Sequence, residues 1–237
     1  MPLQVYNHFN KMLKKYNLII ITFLIILFQN NKTIAQQTIF NVPSADITEK
    51  GKIFFQHESQ FSNKFGLFTN YGAYGIGKNT EIDLTLFGVG THKVRNEVLG
   101  IGFKTVLPLH EKTETKLTIG HIIPVSLVGN GVGGATYSHL STRLPKINTR
   151  ITSGIFIGTT TLFGRDFVSF IGGIEQPITK KLSIIMDYYS GKHSYGYLIP
   201  GFSYTFNPNL ILYSGYQIRN NKANGDNGFV IELAKFF

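Results

Sequence analysis

The sequence predicts an all-β fold, a transmembrane antiparallel up-and-down β-barrel of about 12 strands that follows a cleaved signal peptide. Three observations support this prediction. Apolar and polar residues alternate over many segments, which is the period of a strand with two different faces. The segments are roughly ten residues long, as a tilted strand that crosses a bilayer requires. Aromatic residues cluster near segment ends, where membrane barrels carry girdles at both interfaces.

The N-terminal region has the pattern of a secretory signal peptide. Lys11, Lys14 and Lys15 precede a largely apolar run, Leu18–Phe28, which is too short to span a bilayer comfortably. Thr33-Ile34-Ala35 ends in a small residue, so we expect residues 1–35 to be removed. An N-terminal membrane anchor is the alternative. Residues 36–50 are then a short N-terminal periplasmic lead, too small to fold alone, and residues 51–237 form the barrel.

Composition excludes several classes of protein. The formal charge is +10, but four of the 23 basic residues and none of the 13 acidic ones lie in the first 35 positions. The processed chain therefore carries 19 minus 13, or +6, which does not suggest a nucleic-acid partner. The chain has no cysteine, which excludes disulfides, thiolate zinc sites and cysteine nucleophiles. No motif predicts a cofactor or a metal site.

Twelve segments carry the strand pattern. In one of them Glu81 and Asp83 alternate with Ile82 and Leu84. Such alternation also fits a soluble β-sandwich, but soluble strands usually have five or six residues, and ionised groups in mid-strand indicate a wet lumen. The predicted strands are 51–61, 65–76, 80–90, 95–107, 114–126, 132–145, 149–161, 166–177, 181–190, 195–206, 209–219 and 227–237.

The connections between the segments alternate in length, as expected for an even number of strands. In a bacterial barrel the short turns face the periplasm and the longer loops face outward. Even the longer loops are short, so they provide no folded plug. The short turns are 77–79, 110–113, 146–148, 179–180 and 207–209, and the glycine-richer loops are 62–64, 90–95, 129–134, 163–165, 191–194 and 220–226.

The C-terminus carries apolar residues at alternate positions and ends on an aromatic residue: Phe229, Ile231, Leu233 and Phe237, with Lys235 departing from the pattern. With this C-terminus, the signal peptide, the strand number and the girdle aromatics, the whole processed chain resembles bacterial outer-membrane β-barrel proteins of the small porin-like or transporter-like type. The resemblance implies location in the outer membrane of a two-membrane bacterium. It also implies contact with outer-membrane lipid and recognition of the C-terminal residues by the barrel assembly machinery. It identifies no closer family and no oligomeric state.

Alternation assigns a set of polar residues to the lumen. One interpretation is a lining that sets the selectivity of passive passage for small solutes or ions. The other is a set of internal ion pairs that plugs a structural barrel without a transport role. The predicted lumen-lining residues are Glu58, Glu81, Asp83, Lys104, Lys116, His139, Arg143, Arg150, Glu175, Asp187, Gln217, Arg219 and Glu232, together with Gln56, Gln60 and Asn70.

An enzymatic alternative comes from His139 and Ser141, which share a strand face. This pair resembles the His-x-Ser pair of outer-membrane phospholipase A, a 12-strand barrel whose pair faces lipid, and it would imply a lipid-modifying hydrolase. Arg143 lies on the same face, however, and an arginine belongs in the lumen. We therefore expect His139 and Ser141 to be a lumenal polar pair, and we do not expect an enzyme. His57 and Glu58 are adjacent and point to opposite faces, so we do not expect a metal site formed by these two residues.

Overall fold

The computed structural model describes residues 38–64, 66–91, 97–129, 131–163 and 167–237, and the predicted signal peptide lies outside these ranges. Within these ranges the chain forms twelve strands, one helical turn, α1 (Thr160–Phe163), and one 3₁₀ turn (Lys222–Asn224). No helix there is long and apolar enough to cross a membrane. The strands are β1 (Ile53–Phe61), β2 (Gly66–Gly77), β3 (Thr80–Gly90), β4 (Val98–His110), β5 (Thr115–Ser126), β6 (Ala135–Leu144), β7 (Thr149–Gly158), β8 (Val168–Pro177), β9 (Leu182–Tyr189), β10 (Tyr197–Asn207), β11 (Leu210–Arg219) and β12 (Gly228–Phe236).

The twelve strands close into one barrel in sequence order. Each strand pairs antiparallel with the next, and β12 returns to pair with β1 from Phe54↔Phe236 to Phe61↔Phe229. Closure matters because lipid offers no hydrogen-bond partner for an open sheet edge, where each unpaired backbone group would cost several kcal/mol. The predicted fold class and strand number are confirmed.

The connections lie at two ends with different lengths. At one end Lys78 and Asn79 connect β2 to β3. Their φ angles of 52° and 57° are those of a two-residue hairpin turn, and the twist of such a turn matches that of the flanking strands. The first strand begins and the last strand ends at this same end of the barrel, where Phe237 N–H donates to the Ile53 carbonyl at 2.8 Å. The longer connections, including α1, lie at the opposite end. This arrangement follows the predicted alternation.

The exterior of the barrel is apolar. Leu84, Ile101, Ile155 and Ile184 are 48–56% exposed although they lie within strands. A soluble sheet would bury such side chains, whereas the lipid-facing wall of a transmembrane barrel presents them outward. Aromatic side chains mark both rims of this wall, with Phe61 and Phe229 at the longer connections and Phe206 and Phe237 at the short turns.

The barrel is filled by its own N-terminal segment. Residues 38–49, here called the lead, lie inside the lumen. The sequence pattern predicts instead that residues 36–50 lie in the periplasm. Ile39, Phe40 and Val42 are at most 1% exposed and form one apolar cluster with wall residues such as Ile171 and Ile199. The lead leaves the barrel over Gly75 at the short-turn end. Burial of the apolar side chains of the lead explains why this segment remains inside.

We predict that Leu84→Arg destabilises the inserted barrel by about 2–4 kcal/mol, because a charge near mid-strand on the lipid face must leave water. Denaturant unfolding in lipid or detergent measures the change. Lys112→Arg, in an exposed turn, is the matched control and should leave stability unchanged. Equal stability of both variants would contradict the assignment of the outer wall.

Candidate functional site

All the polar residues predicted to line the lumen face it, except Asn70. Among them, Glu81, Lys104, His139, Asp187 and Glu232 are at most 2% exposed, and Glu232 lies between the exposed Ile231 and Leu233. Glu58 and Asp83 line an internal cavity. Asn70 is different, because it lies opposite His57 and hydrogen-bonds its ring on the outer face, so its assignment to the lumen is wrong.

Arg150 connects the wall to the lead. Its Nε and Nη2 donate to Glu175 Oε2 at 3.0 and 2.6 Å, while Nη1 donates to Asp46 Oδ2 of the lead at 2.6 Å. Lys116 Nζ lies 3.6 Å from the other Asp46 oxygen and donates to the Ala45 carbonyl at 3.3 Å. Two cations from the wall therefore hold one carboxylate of the lead.

Glu81 forms a second connection. Lys104 Nζ lies 2.9 Å from Glu81 Oε1, and both side chains are at most 2% exposed. The backbone N–H of Thr48, in the lead, donates to Glu81 Oε2 at 2.6 Å. A buried charge is tolerated only when it is paired and hydrogen-bonded. Glu81 meets this condition partly through the lead.

Asp187 makes the most specific contact with the lead. Its Oδ2 accepts three consecutive backbone N–H groups, from Phe40 at 3.2 Å, Asn41 at 2.7 Å and Val42 at 2.9 Å. Successive amides that converge on one anion form a nest. The Tyr189 hydroxyl donates to the Asn41 carbonyl at 3.0 Å and fixes the other side of the same turn.

Glycines of the wall provide the space that the lead occupies. The tip of the Phe40 ring lies 2.6 Å from where a Cβ would stand at both Gly201 and Gly215. Ile39 Cδ1 lies 2.0 Å from the corresponding position at Gly173. Any larger residue at these three positions would displace the side chains of the lead.

Above the lead is a cavity of about 150 Å³, in the half of the lumen toward the longer connections. Its floor includes Phe40, Asn41 and Pro43 of the lead. Aromatic rings form a continuous wall, with Phe156 and Tyr189 centroids 5.5 Å apart and Tyr189 and Tyr197 centroids 5.3 Å apart. Among the charged residues that line the cavity, Lys104 is paired with Glu81, whereas Glu58 and Asp83 form no ion pair with any described residue. The cavity therefore presents two acidic side chains in addition to the Lys104–Glu81 pair.

The remaining predicted residues lie around this centre. Arg143 lies at the short-turn end, where Nε donates to Glu114 at 3.0 Å and Nη1 to the Asn148 carbonyl at 3.1 Å. Arg219 lies at the opposite end, with its guanidinium 5.6 Å from the Tyr197 ring centroid. Gln56 connects Glu232 at 2.8 Å to Thr38 of the lead at 3.1 Å.

His139 and Ser141 face the lumen, where they are 2% and 1% exposed. Ser141 Oγ accepts a hydrogen bond from Thr152 at 3.1 Å, and neither nitrogen of His139 bonds to a described residue. A lipid hydrolase needs its nucleophile on the outer wall. The hydrolase hypothesis for this pair is therefore wrong.

The alternation of polar residues along the strands does not reveal the lead as part of the site. Two features of the sequence point to it: the apolar residues Ile39, Phe40 and Val42 in a segment too short to fold alone, and the glycines within strands, which leave space for large side chains. Within the described residues, no group of three or more His, Asp or Glu side chains is placed to hold a metal ion.

Known structures share the architecture but little sequence. The porin KdgM, solved in complex with disordered oligogalacturonate, superposes with a TM-score of 0.57 at 8% identity over 78% of this chain and 99% of that chain. The porin NanC superposes with a TM-score of 0.57 at 10% identity, over 78% and 99% of the two chains. No protein-family model and no curated protein matches the sequence. At such identities the likeness establishes the fold.

We predict that Asp187→Ala loosens the lead, because three N–H groups lose their acceptor and each hydrogen bond to a charged group contributes about 1.5–3 kcal/mol. The chain has no cysteine, so Ala45→Cys, at a position that is 2% exposed, reports on the lead alone. A water-soluble maleimide should label Ala45→Cys at least about tenfold faster when Asp187→Ala is added, since 1.4 kcal/mol corresponds to tenfold.

The matched control is Asp226→Ala, which removes a loop carboxylate that pairs with Lys64 at 3.1 Å. This substitution should leave the labelling rate unchanged. Rapid labelling of Ala45→Cys without the Asp187 substitution would show that the lead is not held in the lumen.

Proposed function

We propose that this protein is an outer-membrane channel that lets small solutes or ions pass passively through its lumen, with the lead as the constriction. The observation that carries the proposal is the cavity inside a closed, lipid-facing barrel, with ionisable side chains along the inner wall. Rings of charged side chains set selectivity in pores of this kind. The shared fold with two porins supports the proposal.

A structural barrel with a plugged lumen is the second candidate, and the ion pairs of Arg150 and Lys104 favour it. If every lumenal charge were paired, a purely structural role would explain the interior. Glu58 and Asp83 instead face the cavity without an ion pair among the described residues. Acidic side chains that face the cavity outside a salt bridge are accessible to a solute in the lumen, which favours the channel over the plugged barrel.

The location and partners of the protein follow from the same proposal. The short turns and both ends of the sheet face the periplasm, and the longer connections face the cell exterior. Phe229, Ile231, Leu233 and Phe237 point outward from the last strand, where the barrel assembly machinery could read them. We also propose that residues 1–35 are removed as a signal peptide.

We predict discrete openings when the processed chain, Gln36–Phe237, is inserted into a planar bilayer. Deletion of residues 38–49 should raise the single-channel conductance, because the lead occupies the cross-section between Asp187 and Arg150. Inserted barrels that stay silent in both forms would contradict the channel and support the structural role.

We also predict a preference for cations over anions, measured as the reversal potential in a salt gradient. Glu58→Gln together with Asp83→Asn should move that potential toward zero, because the cavity loses its two unpaired carboxylates. Glu111→Gln, in an exposed turn, removes one carboxylate outside the lumen and is the matched control. An unchanged reversal potential in the double variant would mean that these residues do not line the path.

A further inference from the structure

Three polar side chains meet on the outer wall of the barrel. His57 and Ser59 belong to β1, and Asn70 belongs to β2 directly opposite His57. Their neighbours Gln56 and Glu58 face the lumen, so alternation places His57 and Ser59 on the lipid side. Polar side chains on a lipid-facing wall are costly and are commonly functional. The channel function uses none of these three residues.

The hydrogen bonds between them have a defined direction. His57 Nδ1 lies 2.9 Å from Asn70 Oδ1, and His57 Nε2 lies 3.0 Å from Ser59 Oγ. A carboxamide oxygen can only accept, so Nδ1 carries the ring proton and Nε2 keeps its lone pair. The Ser59 hydroxyl then donates to Nε2. This is the arrangement of a nucleophile, a general base and a group that orients the base.

The position of Ser59 along the membrane normal places it near the interface between hydrocarbon and headgroups. Ser59 lies two residues, or about 7 Å along the strand, from Phe61 at the aromatic rim. Aromatic belts mark the boundary between hydrocarbon and headgroups. Ester bonds of membrane lipids lie at this boundary, because they join the acyl chains to the polar part of the molecule. The hydroxyl is therefore at the level of a lipid ester.

The surroundings suit an acyl chain. Ile231 lies directly opposite Ser59 on β12, and Leu233 lies opposite His57. Both are more than 40% exposed on the outer wall. On the other side the Phe68 ring stacks on the His57 ring with centroids 6.0 Å apart. His57, Ser59 and Asn70 are themselves partly exposed, so a lipid can reach them.

We propose that His57, Ser59 and Asn70 form a hydrolytic site on the outer wall whose substrate is the fatty-acyl ester of a membrane lipid. Ser59 Oγ attacks the ester carbonyl carbon while His57 Nε2 takes the hydroxyl proton. The bond from that carbon to the alcohol oxygen breaks, and Nε2 gives the proton to the leaving oxygen. Water then attacks the acyl-Ser59 ester through the same base, which releases the fatty acid and restores the serine hydroxyl.

In this scheme Ser59 and His57 are the catalytic residues, and Asn70 is a positioning residue that acts through His57. The step needs only water and the lipid as reactants. In the orientation proposed for the channel, the site faces the outer leaflet. A phospholipid and an acylated lipopolysaccharide both offer the required ester, and the assay must distinguish them.

The first test is covalent labelling of the folded full chain in detergent with a long-chain alkyl fluorophosphonate, which reacts with activated serines. Intact mass should rise by one adduct, and peptide mapping should place the adduct on Ser59. Ser59→Ala and His57→Gln should abolish it. Ser214→Ala is the matched control, because Ser214 faces lipid at the same level two strands away, and should leave labelling unchanged.

The second test measures fatty-acid release from phosphatidylglycerol vesicles and from purified lipopolysaccharide in separate arms. Ser59→Ala and His57→Gln should lower release by about 10²-fold or more in the arm that carries the substrate, the range typical of a general base. Asn70→Leu should lower kcat with little change in KM, and Asn70→Asp, which keeps an acceptor for Nδ1, should restore part of it. A merely structural role of Asn70 would show no such rescue.

Correct folding of each variant is checked by its mobility shift on heating in detergent. Labelling that persists in folded Ser59→Ala, or no labelling and no fatty-acid release by the folded parent, would overturn the proposal. Neither result depends on conductance, so a silent channel with an active outer site, or the reverse, separates this inference from the proposed function.

Discussion

Closure of the sheet is the constraint on which the rest of the structure depends. Lipid cannot satisfy backbone N–H and C=O groups, so β1 must pair with β12. Once the barrel is closed, every strand has one face toward lipid and one toward the lumen. The chain must then fill or hydrate an interior into which Glu81, Asp187 and Arg150 project. It fills part of that interior with its own N-terminal segment.

The lead stabilises the interior by two kinds of contact. Ile39 and Phe40 fill spaces that wall glycines leave open, while Asp46 and the amides of residues 40–42 pair with wall charges. The polar contacts fix the position of the lead at two points, because the amides of residues 40–42 converge on Asp187 while Asp46 pairs with Arg150. Because part of the wall charge is paired with the lead, displacement of the lead would expose that charge to water.

The strands could be predicted from the sequence because membrane crossing imposes both their period and their length. In β3, Glu81 and Asp83 alternate with Ile82 and Leu84, so the sequence itself distinguishes the lumenal face from the lipid face. In β2 glycines and aromatic residues lie on both faces, so only pairing with β1 shows that Asn70 points outward. The same pairing creates the contact between Asn70 and His57. Periodicity along one strand cannot reveal such a group, nor the contacts of Asp187 with residues far away in the chain.

Asp187 holds the lead inside the lumen through the amides of Phe40, Asn41 and Val42. Hydrogen exchange at these three amides, measured residue by residue in the folded protein, tests this most directly. The structure predicts exchange as slow as that of amides within the strands, and faster exchange of these three when Asp187 is replaced. Exchange of all three at the rate of an unstructured peptide would contradict the claim.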